Sequence, residues 1–408
     1  MSPSDPMRIQ GGGPHTSPPE LKGNVMKTFT RIASTVGAIA ATGLVAVAPA
    51  NAATVHHNAP QPATHGIVFV QNNSTTGNTV YAYDRTKSGG LTQVGAYPTG
   101  GNGGALSGAV ADHLSSEGSL SYDALSHTLY AVNAGSNTLT SFAVFGDHLV
   151  REQVVPTEGT FPVSVAVRGN LVFVLNARNG GSISGYVRVG NELFAVPSWN
   201  RQLKLNTSAP GQPNEFVSTP GQLSFAPNGQ SLIVATKNGG NTLESFPLAF
   251  WGPSTKPVVT SLPGAVPFGF AYDARGHLVL SEPGTGNVVS FQLARNGQAT
   301  TLDTVATGQK APCWVASWGN DIFVSNAGSN TVSSYVSSSS GKLTSEGVTA
   351  TDPGTVDATV SPDGHYLYVQ TGVNGIVDVY TIGAHASLTK TGSVTVPNGI
   401  GAEGIVAL

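Results

Sequence analysis

Asp357 and Glu403 occupy the same place in a pattern that recurs along this chain. Two acids facing one another in a confined space repel, so one keeps its proton toward neutral pH while the other can act as a base. Glu117 is the next acid in that order, and Glu282 interrupts a second recurring series in which most copies carry a small polar residue. Lys237 and Arg178 stand one and two positions past the register of that second series and suit a ligand carboxylate or a developing oxyanion. His113, in a long Gly-rich segment, is the best-placed histidine; Gln222 and Trp314 share the register of Asp357, and Asn326 that of Glu282. These residues define candidate catalytic acids (Asp357, Glu403, Glu117, Glu282) and candidate substrate contacts (Lys237, Arg178, His113, Gln222, Trp314, Asn326). Glu282, Asn326, Asp357 and Glu403 could instead ligate Ca²⁺ if they lay at one depth; no other cofactor is implied. A third reading has the acids bonding backbone amides and water along a wet channel.

The elements that must position these residues are written as a repeat. Leu129 to Phe142 (LYAVNAGSNTLTSF) and Ile322 to Tyr335 (IFVSNAGSNTVSSY) are its clearest copies, with weaker ones at Ile67–Tyr83, Val172–Tyr186, Leu232–Phe246, Leu278–Phe291 and Leu367–Tyr380. Aligned on the residue that ends the first run, the copies fall at 72, 133, 176, 236, 282, 326 and 371. A spacing near 45 with several short strands per unit is the mark of propeller blades, none of which can bury both faces of its sheet alone. The expected fold is an all-β, seven-bladed β-propeller over residues 65–408. Inner strands should lie at Glu117–Tyr122, Pro162–Val167, Pro220–Phe225, Pro267–Tyr272, Pro312–Ser317 and Thr355–Val360. The seventh is missing before the first copy, and Ala402–Leu408 has the pattern to supply it, closing the ring with the C-terminus. Two connections are longer than the rest, Tyr97–Ser116 and Asn191–Thr219, and both fall on the face where inner strands begin. The repeated Asn at the end of the first run reads as the start of an Asx-type turn.

Only 10% of residues are charged and the net charge is −3, which gives no footprint for nucleic acid. Residues 1–25 carry no periodicity and precede a second start at Met26, so they read as an overextended start. Residues 26–52 read as a signal peptide: Lys27 and Arg31, an apolar run, then Ala50-Asn51-Ala52 as cleavage site. Residues 53–64 read as a linker. The expectation is a secreted monomer with no membrane segment after cleavage. Cys313, the sole cysteine, excludes an internal disulfide and reads as a buried, inert thiol. Nucleophile elbows, zinc-binding helices, Walker loops and Cys/His zinc spacings are all missing from the sequence.

The segments LYAVNAGSNTL (129–139), VSVAV (163–167), VLNA (174–177), PFGFA (267–271), APCWV (311–315) and FAPNG (225–229) resemble the lactonase-type seven-bladed propellers, which include propeller-type 6-phosphogluconolactonase and carboxymuconate-lactonizing enzymes. The resemblance covers about residues 65–408 and implies a lactone-opening or lactone-forming site at the channel mouth with no required metal. Two of the family's motifs are not here: Glu117-Gly-Ser-Leu120 stands where a His-rich stretch is expected, and Thr236-Lys-Asn238 where a Glu follows Val-Asn. Expected export and the lack of a dense Arg/Lys cluster for a phosphate point to a small, unphosphorylated lactone or ester as the ligand. The other reading is a non-catalytic extracellular propeller that binds a glycan, polymer or protein.

Overall fold

The structure, a computed structural model, describes residues 66–408; the proposed overextended start, signal peptide and linker lie outside the described residues. Seven antiparallel sheets form a ring, each with an inner, second, third and outer strand. Blade 2 illustrates the plan, with Leu120–Asp123, Thr128–Asn133, Thr138–Phe145 and His148–Pro156 joined by tight turns. The inner strands of blades 3 to 7 are Pro162–Arg168, Gln222–Phe225, Phe270–Tyr272, Pro312–Trp318 and Thr355–Val360. The inner strands of blades 2, 4 and 5 begin later than the sequence suggests, blade 4 at Gln222 rather than Pro220. Blade 2 starts at Leu120 because Glu117 instead forms a parallel bridge with Gln222 of blade 4, and blade 5 starts at Phe270.

The ring closes as expected. Ile405–Ala407 pairs antiparallel with Ile67–Gln71, in the register Val68 to Ala407 and Val70 to Ile405, and so provides the inner strand of blade 1. Residues on the second strands are buried on both faces because each blade is sandwiched between two others, which suits runs such as LVFVLN (171–176). Outer strands alternate, as in LTKTGSVT (388–395), with one side on the neighbouring blade and one in water. The aromatic residue that recurs on the third strand (Tyr83, Phe142, Tyr186, Phe246, Phe291, Tyr335 and Tyr380) is buried in every blade. Burying such a side chain is worth about 1.5–3 kcal/mol, so this one repeated position is a large share of what holds blades together.

The recurring Asn works differently from the expected Asx turn. In blades 2 and 6, Asn133 Nδ2 donates to Thr138 and Thr140 Oγ1, and Asn326 Nδ2 to Thr331 Oγ1 (3.1 Å) and Ser333 Oγ (2.9 Å). The amide staples the second strand to the third below the turn. Only Asn72 accepts from the backbone two residues on, at Ser74.

Candidate functional site

The inner strands carry one ring of side chains at a single register: Ser119, Ser164, Gln222, Gly269, Trp314, Asp357 and Glu403. Several of them perform one backbone task. Glu403 Oε1 of blade 1 accepts the N–H of Ser119 in blade 2 (3.1 Å). Ser164 Oγ of blade 3 accepts from Leu223 of blade 4, Gln222 Oε1 of blade 4 from Phe270 of blade 5, and Asp357 Oδ2 of blade 7 from Ile405 of blade 1. Each acceptor thus ties its blade to the next around the channel. Blade 5 offers only Gly269 here, and Glu117 fills the gap: a Cβ at Gly269 would lie 2.0 Å from Glu117 Oε2. From there Glu117 Oε2 accepts the N–H of Val315 in blade 6 (3.2 Å).

Three sequence-expected acids therefore do converge, and a fourth joins them. Asp112 accepts the N–H groups of Leu114 (2.7 Å) and Ser116 (2.8 Å) on the same loop. Asp112, Glu117, Asp357 and Glu403 are 4%, 8%, 4% and 0% exposed. Burial pushes Asp357 up to about 7 and Asp112 up to about 6, the latter held back in part by Lys237. Burial, and then the charge of Asp357, raise Glu117 and Glu403 well above the ordinary carboxyl range. Glu403 Oε2 is buried without a hydrogen-bond partner. Asp112 has no counterpart in the repeat, so periodicity could not single it out.

The mouth expected to be open is covered. The first long connection, Thr99 to Glu117, runs across it as a strap. Its Gly103 N–H donates to Ser74 O of blade 1 (2.8 Å), and its Asn102 N–H to Ser136 Oγ of blade 2 (2.7 Å). Ser116 Oγ donates to Val163 O of blade 3, and Trp314 Nε1 of blade 6 donates to Ser116 O (2.6 Å). Ala111 packs against a cluster of Phe268, Cys313, Trp314 and Val356. Trp314 thus serves the strap, beside Phe268 in an edge-to-face pair.

Lys237 is buried beneath the strap, where its Nζ donates to Ser115 O, Ser115 Oγ (3.0 Å) and Phe216 O (2.6 Å). Burial lowers it to about 7, opposed by Asp112. Arg178 Nε meets Glu215 Oε1 (2.6 Å), and its guanidinium stacks 4.3 Å from the Phe161 ring centre. Glu215 belongs to the short helix Glu215–Ser218 in the second long connection and also accepts the N–H of strap residue Ser107. Both cations are therefore engaged in holding the two long connections.

Glu282 and Asn326 are not brought to the acid cluster. Glu282 Oε2 accepts from Thr285 Oγ1 (3.0 Å) in its own turn, and Asn326 turns its amide nitrogen onto the third strand. The four oxygens proposed for Ca²⁺ do not converge, and among the described residues no group of three His, Cys, Asp or Glu is placed to hold a metal. His113 rests its ring on Gly401 and lines a separate cleft of about 260 Å³ with Asn73, Ser74, Thr75, Asn398 and Ile400. Cys313 is buried, as expected, and burial raises its thiol to about 12. A second cavity, about 300 Å³, lies among the inner strands of blades 2 to 4 and reaches the strand ends opposite the strap, lined by Gly118, Ser121, Arg168, Gln222 and Ser224 among others.

No family model matches the chain, and no curated protein does. Solved structures share its fold. A Bacteroides fragilis protein provisionally assigned as a 6-phosphogluconolactonase superposes with a TM-score of 0.66 at 18% identity, covering 85% of this chain and 100% of that one. The Pseudomonas aeruginosa periplasmic gluconolactonase PpgL gives 0.66 at 17%, covering 84% and 99%. A Lactobacillus plantarum protein gives 0.65 at 18%, covering 84% and 99%. The class established by fold is the seven-bladed β-propeller with the architecture of those structures.

Proposed function

We propose that this chain is a lactonase-type hydrolase that opens a small unphosphorylated lactone at the acid cluster of its channel. One observation carries the reading. Neutral Ser164 and Gln222 perform the same blade-to-blade acceptor task as Glu117, Asp357 and Glu403. The ring therefore does not need carboxyls, yet it buries three of them, a costly choice that typifies sites of proton chemistry. Asp357, titrating near 7, would take a proton from water as hydroxide adds to the lactone carbonyl carbon. On collapse the ring C–O bond breaks, and a carboxyl held protonated, Glu403 with its free Oε2, gives its proton to the departing alkoxide. The products are a hydroxy acid and no net loss of protons from the pair. A phosphorylated substrate fits poorly, because the cluster's one buried cation, Lys237, already faces two carbonyl oxygens and a hydroxyl. Secretion, as expected from residues 26–52, would place the enzyme among extracellular lactones.

The alternative, a non-catalytic binding propeller, draws support from the strap that covers the acids. Proton release on a panel of γ- and δ-lactones, with and without Ca²⁺, separates the two. The expected result is turnover by the parent and a fall of about 10²-fold or more in Asp357→Asn and Glu403→Gln variants that still melt cooperatively. Equal rates in parent and variants, or no turnover of any lactone alongside glycan binding, would replace the hydrolase with the binder.

A further inference from the structure

We propose that residues Thr99–Glu117 form a hinged strap, latched by Lys237, whose release opens the channel mouth to a ligand. This goes beyond the hydrolytic reading and does not depend on it, since a binding propeller would need the same opening.

Three features separate a latched strap from a permanent plug. First, its attachments to the rim are mostly polar: backbone bonds such as Gly103 N–H to Ser74 O and His113 N–H to Gly401 O, with the indole N–H of Trp314, the Glu215 carboxylate and the Lys237 ammonium. Leu106 and Leu114 are its only large apolar side chains that are nearly fully buried. Those two leucines join the core of blades 2 to 4, but a segment held by two apolar anchors and hydrogen bonds opens at lower cost than the blades do. Second, both ends carry pivots in left-handed backbone, Gly100 (φ 87°) and Gly118 (φ 87°). Third, the latch is itself in an unusual state. Lys237 has φ 46°, a conformation that L side chains rarely adopt, and it is 1% exposed. Its Nζ has three acceptors, matching the three N–H groups of an ammonium. Those acceptors come from both long connections, Ser115 of the strap and Phe216 of the second insert, so one side chain fastens the two together. Its removal would leave the buried Ser115 carbonyl without a donor, while Phe216 O would keep Ser115 Oγ and Thr219 Oγ1.

Beneath the strap lie Asp357 and Glu403, with Glu117 at its base, anchored on Val315, and Asp112 carried on the strap itself. With no unengaged cation among the described residues of this compartment, it suits a small uncharged polar molecule and disfavours anions. Opening would carry Asp112 away from the other acids, and closing over a ligand would restore it.

Cys313 supplies the test, because it is the only thiol and sits under Ala111 of the strap. Labelling by a small disulfide reagent should run at least about tenfold faster in Lys237→Met than in the parent, at a reagent concentration where opening limits the rate. Equal labelling in a folded Lys237→Met protein would overturn the latch. Hydrogen exchange on the unmodified protein gives a second, independent measure. The amides of Leu106, His113, Leu114 and Ser116 should exchange together and well before those of the second strands. Exchange of these amides only with global unfolding would show a fixed plug, whatever the variant does.

Discussion

At the scale of single residues, the acids in the channel behave unlike most protein carboxylates. A carboxyl whose pKa is depressed on folding stabilises the native state above its unfolded pKa. Here the shift is upward: Asp112, Glu117, Asp357 and Glu403 are all raised by burial. The native state therefore binds more protons than the unfolded chain once pH exceeds the unfolded value, and stability falls as pH rises through that window. Glu403→Gln keeps an oxygen for the Ser119 N–H and cannot ionise. Melting temperatures at pH 5, 7 and 9 should show the variant close to the parent in acid and gaining on it as pH rises. Parallel pH profiles would mean that Glu403 carries no titration penalty. The same scale explains what was readable from sequence. The shared register of Asp357, Glu403 and Gln222 is a property of the repeat and was visible; the contribution of Glu117 depends on the missing side chain at Gly269, which is visible only once the ring is built. Arg178 and Lys237 stand out in the sequence as candidate cations for a ligand, but the partners they hold here, Glu215 and two carbonyl oxygens, lie in connections that have no period to read.

At the scale of elements, the blades and the strap follow different rules. A blade is local: turns such as Asn133–Asn137 join strands that pair with their sequence neighbours, so alternation and turn residues were enough to place them. The strap is fixed by contacts with every blade around the ring, many through backbone carbonyls that carry no sequence signature. Its fit is close at Gly372, where an added Cβ would stand 1.6 Å from the carbonyl oxygen of Ala111. Gly372→Ala should therefore displace the strap without disturbing the sheets, raising Cys313 labelling severalfold while the far-ultraviolet circular dichroism is unchanged. Gly392→Ala, where the new methyl meets nothing within 4 Å, is the control and should label at the parent rate. If both glycine variants label alike, the Ala111 contact does not seat the strap.

At the scale of the whole molecule, the ring depends on one short pairing between its two ends. Ile405–Ala407 completes blade 1, and Val68 and Val70 then pack with Tyr368, Val377 and Val379 of blade 7. Removing residues 404–408 would leave Ile67–Gln71 as a bare apolar edge and deprive Asp357 of the Ile405 N–H. The truncated protein should lose its cooperative thermal transition and self-associate on size-exclusion chromatography; a monomer with the parent melting curve would show that closure is dispensable. The closing strand also sets a timetable. Synthesis runs from the first blade to the seventh, yet the first blade obtains its inner strand only from the segment that follows the seventh. Six blades can stack on the nascent chain while that unfinished edge waits, so the part born first is completed last. Anything that delays synthesis or release of the closing strand prolongs the interval in which an unpaired strand is available to a stranger.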